Sequence, residues 1–160
     1  FPQPEPLIYG EATRVMSLRD GTKKMSKSDA SELSRVLLTD SNDAIATKLK
    51  KAKSDSDLIP DSVELLKGKA ECLNLINILS ATMNQSQEKT LQEFAGREYS
   101  ILKNKLAESL IEVLGPIRDE INNLLNNKDE LNKILAIGAE KAEEIANPIL
   151  QEVYKIVGFR

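Results

Sequence analysis

Lys23-Lys24-Met25-Ser26-Lys27-Ser28-Asp29 brings three ammonium groups and two hydroxyls together in one short run. Such a run can hold a polyphosphate. Mobile ammonium groups neutralise its charge, while hydroxyls and free backbone N–H groups donate hydrogen bonds to its oxygens. The competing reading is a solvated basic loop, which the same Lys and Ser content suits. The elements that position the run decide between them.

Before it stand Arg14-Val15-Met16-Ser17-Leu18, a short run of strand type, and the turn-forming pair Asp20-Gly21. The order predicted is strand, turn at Asp20-Gly21, and lysine loop leaving that turn. This is the arrangement at the edge of an open α/β sheet, where ligands bind beyond strand carboxyl ends. After the loop, Asp40-Ser41-Asn42-Asp43 is a helix-start cluster, followed by Ala44, Ile45, Leu49 and Ala52 at helical spacing. Lys48, Lys50, Lys51 and Lys53 cover much of the remaining surface of that helix, either as a solvated face or as contacts to RNA phosphate. Ser54-Asp55-Ser56-Asp57 and Pro60 end it.

From about residue 69 the pattern is helical nearly to the end. Leu73, Ile76, Leu79 and Met83 make one apolar face, and a short helix around Leu91, Phe94 and Ala95 closes at Gly96. A long helix runs through Leu102, Leu106, Leu110, Leu114, Ile117, Ile121 and Leu125 in steps of three or four. The last helix carries Leu131, Ile134, Ile137, Ala142, Ile145, Ile149, Val153 and Ile156. Gly115-Pro116 predicts a kink or break and Pro148 a kink, with ends at Asn126-Asn127 and Gly158. The fold class expected is mainly α: an antiparallel helical bundle preceded by the tail of an α/β nucleotide-binding domain, divided as 1–39 and 40–160.

Composition narrows the function classes. Aromatics make up 4% of the chain and Trp is absent, which favours helix over sheet. With no His and the single Cys72, no zinc site is expected, and Cys72 in its apolar run reads as a buried, reduced thiol of a cytosolic protein. A net charge of −3 gives no global pull toward nucleic acid, so RNA contacts must come from local basic faces. No apolar run approaches the roughly 20 residues that span a bilayer. The Pro-rich opening over residues 1–13 reads as an extended lead-in, not a signal peptide, and a start at Phe1 reads as a cut into a longer protein.

Asp20-Gly21-Thr22-Lys23-Lys24-Met25-Ser26-Lys27-Ser28-Asp29 resembles the catalytic loop of bacterial tryptophanyl-tRNA synthetases, whose class I signature pentapeptide is Lys24-Met25-Ser26-Lys27-Ser28. The resemblance extends over nearly the whole chain. Gly68-Lys69-Ala70 into Asn74-Leu75-Ile76, Tyr99-Ser100-Ile101-Leu102-Lys103, Pro116-Ile117-Arg118 and Gly138-Ala139-Glu140-Lys141-Ala142 also carry it. Two positions depart from the family pattern: Ala30 and Gly21 stand where the family often has Pro, and both are expected to loosen the loop. The other class I signature, of the His-Ile-Gly-His type, is absent from this sequence, so the chain resembles a carboxy-terminal fragment.

The resemblance implies an aminoacyl-tRNA ligase that activates tryptophan with ATP and esterifies tRNA with it, acting in the cytoplasm as a homodimer away from membranes. Lys24 and Lys27 would stabilise the leaving pyrophosphate together with Mg²⁺. Ser26, Ser28 and backbone N–H groups would hold the loop or the phosphates, and Val15 with the Met25 backbone would meet the adenine. Gly21, Ser26 and Ser28 would let the loop open and close. No protein metal ligand is implied. The helical region would be of the anticodon-binding type, its last helix returning to the catalytic domain. Lys103, Lys105, Arg118 and Arg97 are candidates for RNA contact or for a solvated face. The alternatives are a tyrosyl-tRNA synthetase and a non-catalytic helical RNA- or protein-binding module that keeps a synthetase-like loop.

Overall fold

A computed structural model describes residues 3–10 and 12–159. The parts of the expected lead-in at Phe1, Pro2 and Glu11 lie outside the described residues, as does Arg160. Two short strands, β1 (Met16–Ser17) and β2 (Asp20–Lys24), precede a 3-10 turn at Glu32–Ser34. Six α-helices follow among the described residues: α1 (Asn42–Lys50), α2 (Val63–Leu66), α3 (Ala70–Thr82), α4 (Gln87–Phe94), α5 (Tyr99–Asn126) and α6 (Lys128–Val157). The chain is mainly α, as its composition and spacing predict.

Local signals account for several helix ends. Ser41 and Ser86 accept from Ala44 N and Lys89 N at 3.2 and 3.3 Å, capping α1 and α4. Asn127 caps α6, and Gly158, at φ 82°, closes it in the left-handed region. Helix α2 has no counterpart in the sequence reading, being too short to show a period. Neither proline breaks its helix: α5 runs on through Pro116 and α6 through Pro148. A proline removes one ladder bond, and the long turns on both sides keep the rest.

The chain forms two compact units, Phe1–Arg118 and Asp119–Arg160. The core of the first draws Leu18 from the hairpin turn, Ile45 and Leu49 from α1, Leu75, Ile76 and Leu79 from α3, Leu91 from α4, and Leu102 and Leu106 from α5. One core thus spans both sides of residue 39. Cys72 is buried in it as expected, and burial raises its thiol pKa. In the second unit, the rings of Tyr154 and Phe159 meet edge to face at 6.2 Å. Ile134, Ile145, Ile149 and Ile156 stand exposed there, and no described residue of α6 is buried.

The hairpin departs from expectation. Its turn lies at Leu18-Arg19, and Asp20-Gly21 belongs to β2. Tertiary packing explains the shift. Gly21 is buried, and a Cβ built on it would meet backbone atoms of Ala70 and Glu71 at 2.5 to 2.7 Å. Its missing side chain lets β2 lie against the start of α3, and it is a strand residue and not a turn residue.

Candidate functional site

β2 delivers Lys23 and Lys24 from a strand, and the loop proper begins at Met25. The Met25 amide donates to the Val15 carbonyl at 3.0 Å, extending the hairpin by one bond. Its side chain packs on the core, so the loop leaves from a fixed edge. Val15 is half-buried beside it. The Met25 N–H is therefore engaged, which leaves the carbonyl of Met25 as the backbone group that could meet a base.

Residues 26–32 are exposed. Ser26 and Ser28 hydroxyls lie 3.1 Å apart, and the Ser28 amide donates to Ser26 Oγ at 3.3 Å. The Asp29 amide reaches the Ser26 carbonyl at 3.4 Å, which curls the loop into a tight turn. Lys24 and Lys27 form no ion pair among the described residues, whereas Lys23 pairs with Asp20 at 3.3 Å. The Thr22 hydroxyl and amide, and then Lys23, hold the Asp20 carboxyl below its ordinary pKa. Of the three loop lysines, Lys23 alone has an ion-pair partner among the described residues.

Two further contacts fix the hairpin. Asn74, in the middle of α3 and 4% exposed, bonds both the amide and the carbonyl of Met16. Glu71, one turn earlier, takes Lys53 at 2.7 Å and stands 3.5 Å from the Gly21 amide. The exit of the loop is tied by Arg35, whose Nη1 donates to the carbonyls of Asp29 and Ser31 at 2.9 and 3.2 Å. Sequence reasoning assigned no role to Asn74, Glu71 or Arg35. Asn74 did carry a signal: an amide inside the apolar run Cys72-Leu73-Asn74-Leu75-Ile76 must find partners when buried. Arg35 carried none, because its partners are backbone carbonyls.

The basic residues proposed for RNA separate into two groups. Lys48 is buried against Asp40, and Lys53 is held by Glu71. Lys103 donates to the Ala52 carbonyl and the Ser54 hydroxyl at 2.7 and 2.8 Å, and desolvation lowers its pKa. Arg118 reaches the Asp40 carbonyl and Asn42 Oδ1 at 3.1 and 2.8 Å. These side chains hold the fold together. Lys50, Lys51, Arg97 and Lys105 remain exposed, Lys105 with a carboxylate oxygen of Glu108 at 3.9 Å. Lys50 lines a cleft of about 390 Å³ with Thr47, Asn104, Glu108 and Ile111, which contains no residue of the lysine loop.

The donor set of the loop, ammonium and hydroxyl groups, suits phosphate oxygens and not a bare dication. Among the described residues no group of three or more His, Cys, Asp or Glu is placed to hold a metal. No helix among them is long and apolar enough to cross a membrane.

A lysine pentapeptide carried by a hairpin and backed by helices defines a class, and comparison agrees. The family model described as tRNA synthetases class I (W and Y) matches residues 1–115, and the chain belongs to that family. Its relatives include the tryptophan–tRNA ligases of Agrobacterium fabrum and Caulobacter vibrioides. They are 48% and 47% identical to it over 99% of this chain, which covers 45% and 46% of their lengths. The chain therefore spans a little under half of the relatives it matches. Among solved structures, tryptophanyl-tRNA synthetase of Campylobacter jejuni, complexed with ADP and tryptophan, aligns at a TM-score of 0.62. It is 26% identical, over 91% of this chain and 43% of its own. The enzyme of Mycoplasma pneumoniae aligns at 0.77 with 24% identity, over 92% of this chain and 44% of its own, and supports the fold alone.

Proposed function

We propose that this chain is part of a tryptophan–tRNA ligase and contributes its phosphate-handling loop and tRNA-binding helices. The observation that carries this reading is the loop itself, where Lys24 and Lys27 stand exposed and form no ion pair among the described residues while their neighbour Lys23 pairs with Asp20. In tryptophan activation the amino-acid carboxylate attacks the α-phosphate of ATP in line, and pyrophosphate departs with growing negative charge. Lys24 and Lys27 stabilise that charge more in the transition state than in the bound ground state, which lowers the barrier. Ser26 and Ser28 donate to phosphate oxygens or hold the turn, and Val15 with the Met25 backbone lines the adenine. Mg²⁺, bound to ATP as part of the substrate, would share that charge with Lys24 and Lys27.

In this reading residues 1–39 serve catalysis and residues 40–160 serve tRNA, with exposed Lys50, Lys51, Arg97 and Lys105 as the phosphate-facing cations that remain. The working enzyme is a cytoplasmic homodimer. The family model spans tryptophan and tyrosine enzymes, so tyrosine is the competing substrate, and a non-catalytic module is the other alternative.

The test is a chimera in which this chain replaces the aligned part of the Agrobacterium fabrum ligase, assayed by amino-acid-dependent ATP–pyrophosphate exchange. Tryptophan-dependent exchange followed by tRNA charging is the expected result. A correctly folded chimera without exchange would leave the non-catalytic module standing. The 160-residue chain by itself is expected to be inactive in the same assay.

A further inference from the structure

We propose that Arg35 is a positioning residue for the lysine loop, setting where Lys27 stands by tying the loop's exit to the hairpin turn. Both ends of the exposed stretch Ser26–Ser28 lead back to the same hairpin. At the entrance, the Met25 amide is bonded to the Val15 carbonyl at 3.0 Å. At the exit, Arg35 Nη1 holds the Asp29 carbonyl at 2.9 Å and the Ser31 carbonyl at 3.2 Å. The Ser34 carbonyl then accepts from the Leu18 amide at 2.9 Å, which returns the path to the hairpin turn.

The donor arithmetic shows what Arg35 adds. The Ser31 carbonyl also receives the Ser34 amide and hydroxyl, at 3.1 and 2.6 Å. With two lone pairs on a carbonyl oxygen, this acceptor stays satisfied when Arg35 is removed. Among the described residues the Asp29 carbonyl has no second donor, so removal loosens the loop's exit and leaves the 3-10 turn intact. All of these contacts are to the backbone, and Arg35 acts through the loop. Its effect on a reaction rests on the function proposed above, but the tether itself does not.

The test has two arms. In the 160-residue chain, amide exchange is followed at Ser31, whose N–H bonds Asp29 Oδ1 at 2.8 Å, and at Ser34 and Leu18. Arg35→Ala should speed exchange at Ser31 by about tenfold, the size of one lost charge-assisted bond, and leave Ser34 and Leu18 unchanged. Arg35→Lys, whose compact ammonium lacks the planar fork, should fall between. In an active chimera, Arg35→Ala should slow adenylate formation about tenfold with the KM for ATP within about twofold, and Arg35→Lys should restore part of the rate.

Unchanged exchange at Ser31 overturns the proposal. Equal acceleration at Ser31, Ser34 and Leu18 also overturns it, because Arg35 would then be a general prop of the fold. An unaltered rate in an active chimera overturns it as well. A parent chimera without activity refutes the functional reading instead, and the exchange arm still decides on Arg35.

Discussion

Asn74 of α3 grips Met16 of β1 through both halves of its amide: Nδ2 donates to the Met16 carbonyl at 2.8 Å, and Oδ1 accepts from the Met16 amide at 2.9 Å. One side chain thus does what a neighbouring strand would do for a strand of two residues. Met16 pairs with Lys24, so this clasp also sets the base of the lysine loop. Asn74→Ala leaves both backbone groups unpaired in a partly buried place and should cost about 2–3 kcal/mol of folding stability. Equilibrium urea unfolding measures it, and a loss below about 0.5 kcal/mol would show that the clasp is idle.

Gly21 answers to a steric test. A methyl group at this position runs into the backbone of Ala70 and Glu71, which cannot rotate away as a side chain would. Gly21→Ala should destabilise the first unit by about 1–3 kcal/mol, as overpacking does. Gly138, where an added Cβ meets nothing within 4 Å, is the control, and Gly138→Ala on a helix should be neutral or stabilising. The proposed close approach fails if the two variants unfold at the same denaturant concentration.

The Lys53–Glu71 pair gives the hairpin a pH dependence. Its 2.7 Å contact lowers the Glu71 carboxyl pKa, against the opposing effect of burial, and raises that of Lys53. A carboxylate with a depressed folded-state pKa stabilises the fold above its unfolded value and loses that contribution as pH falls through the folded value. The lysine contribution has the opposite sense: it is present below the unfolded value and lost as pH rises through the folded one. Glu71→Gln should therefore be less stable than the parent at neutral pH, with the gap narrowing as pH falls below the ordinary glutamate value of about 4.3 and closing only once the folded carboxyl is itself protonated. Urea midpoints from neutral to acid pH trace this, and a gap that stays constant would refute it.

The three loop lysines should divide in function as they do in structure. In the active chimera, Lys27→Ala should slow adenylate formation by roughly 2–4 kcal/mol while changing ATP binding far less, and Lys24→Ala should act in the same direction. Arg at either position should rescue only in part, since a planar fork does not replace a compact ammonium. Lys23, paired with Asp20 at 3.3 Å, should be replaceable by Ala at little cost. Pre-steady-state adenylate formation separates the cases. Equal damage at Lys23 would reduce the loop to a general lure for ATP.

The sequence by itself determined what depends on neighbours a few residues apart. The spacing of Ile45 and Leu49, and of Ile76 and Leu79, dictates helices whose apolar faces are buried. Ser41, Ser86, Asn127 and Gly158 mark ends that capping chemistry makes unavoidable. The lysine run was legible for the same reason, as all its chemistry is contiguous. What only the tertiary structure decided involves partners far apart along the chain. Asn74 and Met16 are 58 residues apart, Arg118 and Asp40 78, and Lys103 and Ala52 51. Long-range docking turned Asp20-Gly21 from a turn into a strand, because the start of α3 occupies the space where a side chain would stand. It also drew Lys48, Lys103 and Arg118 out of the set of cations open to RNA. A lysine that meets a carboxylate or carbonyl on another element reads, in one dimension, the same as a lysine in water.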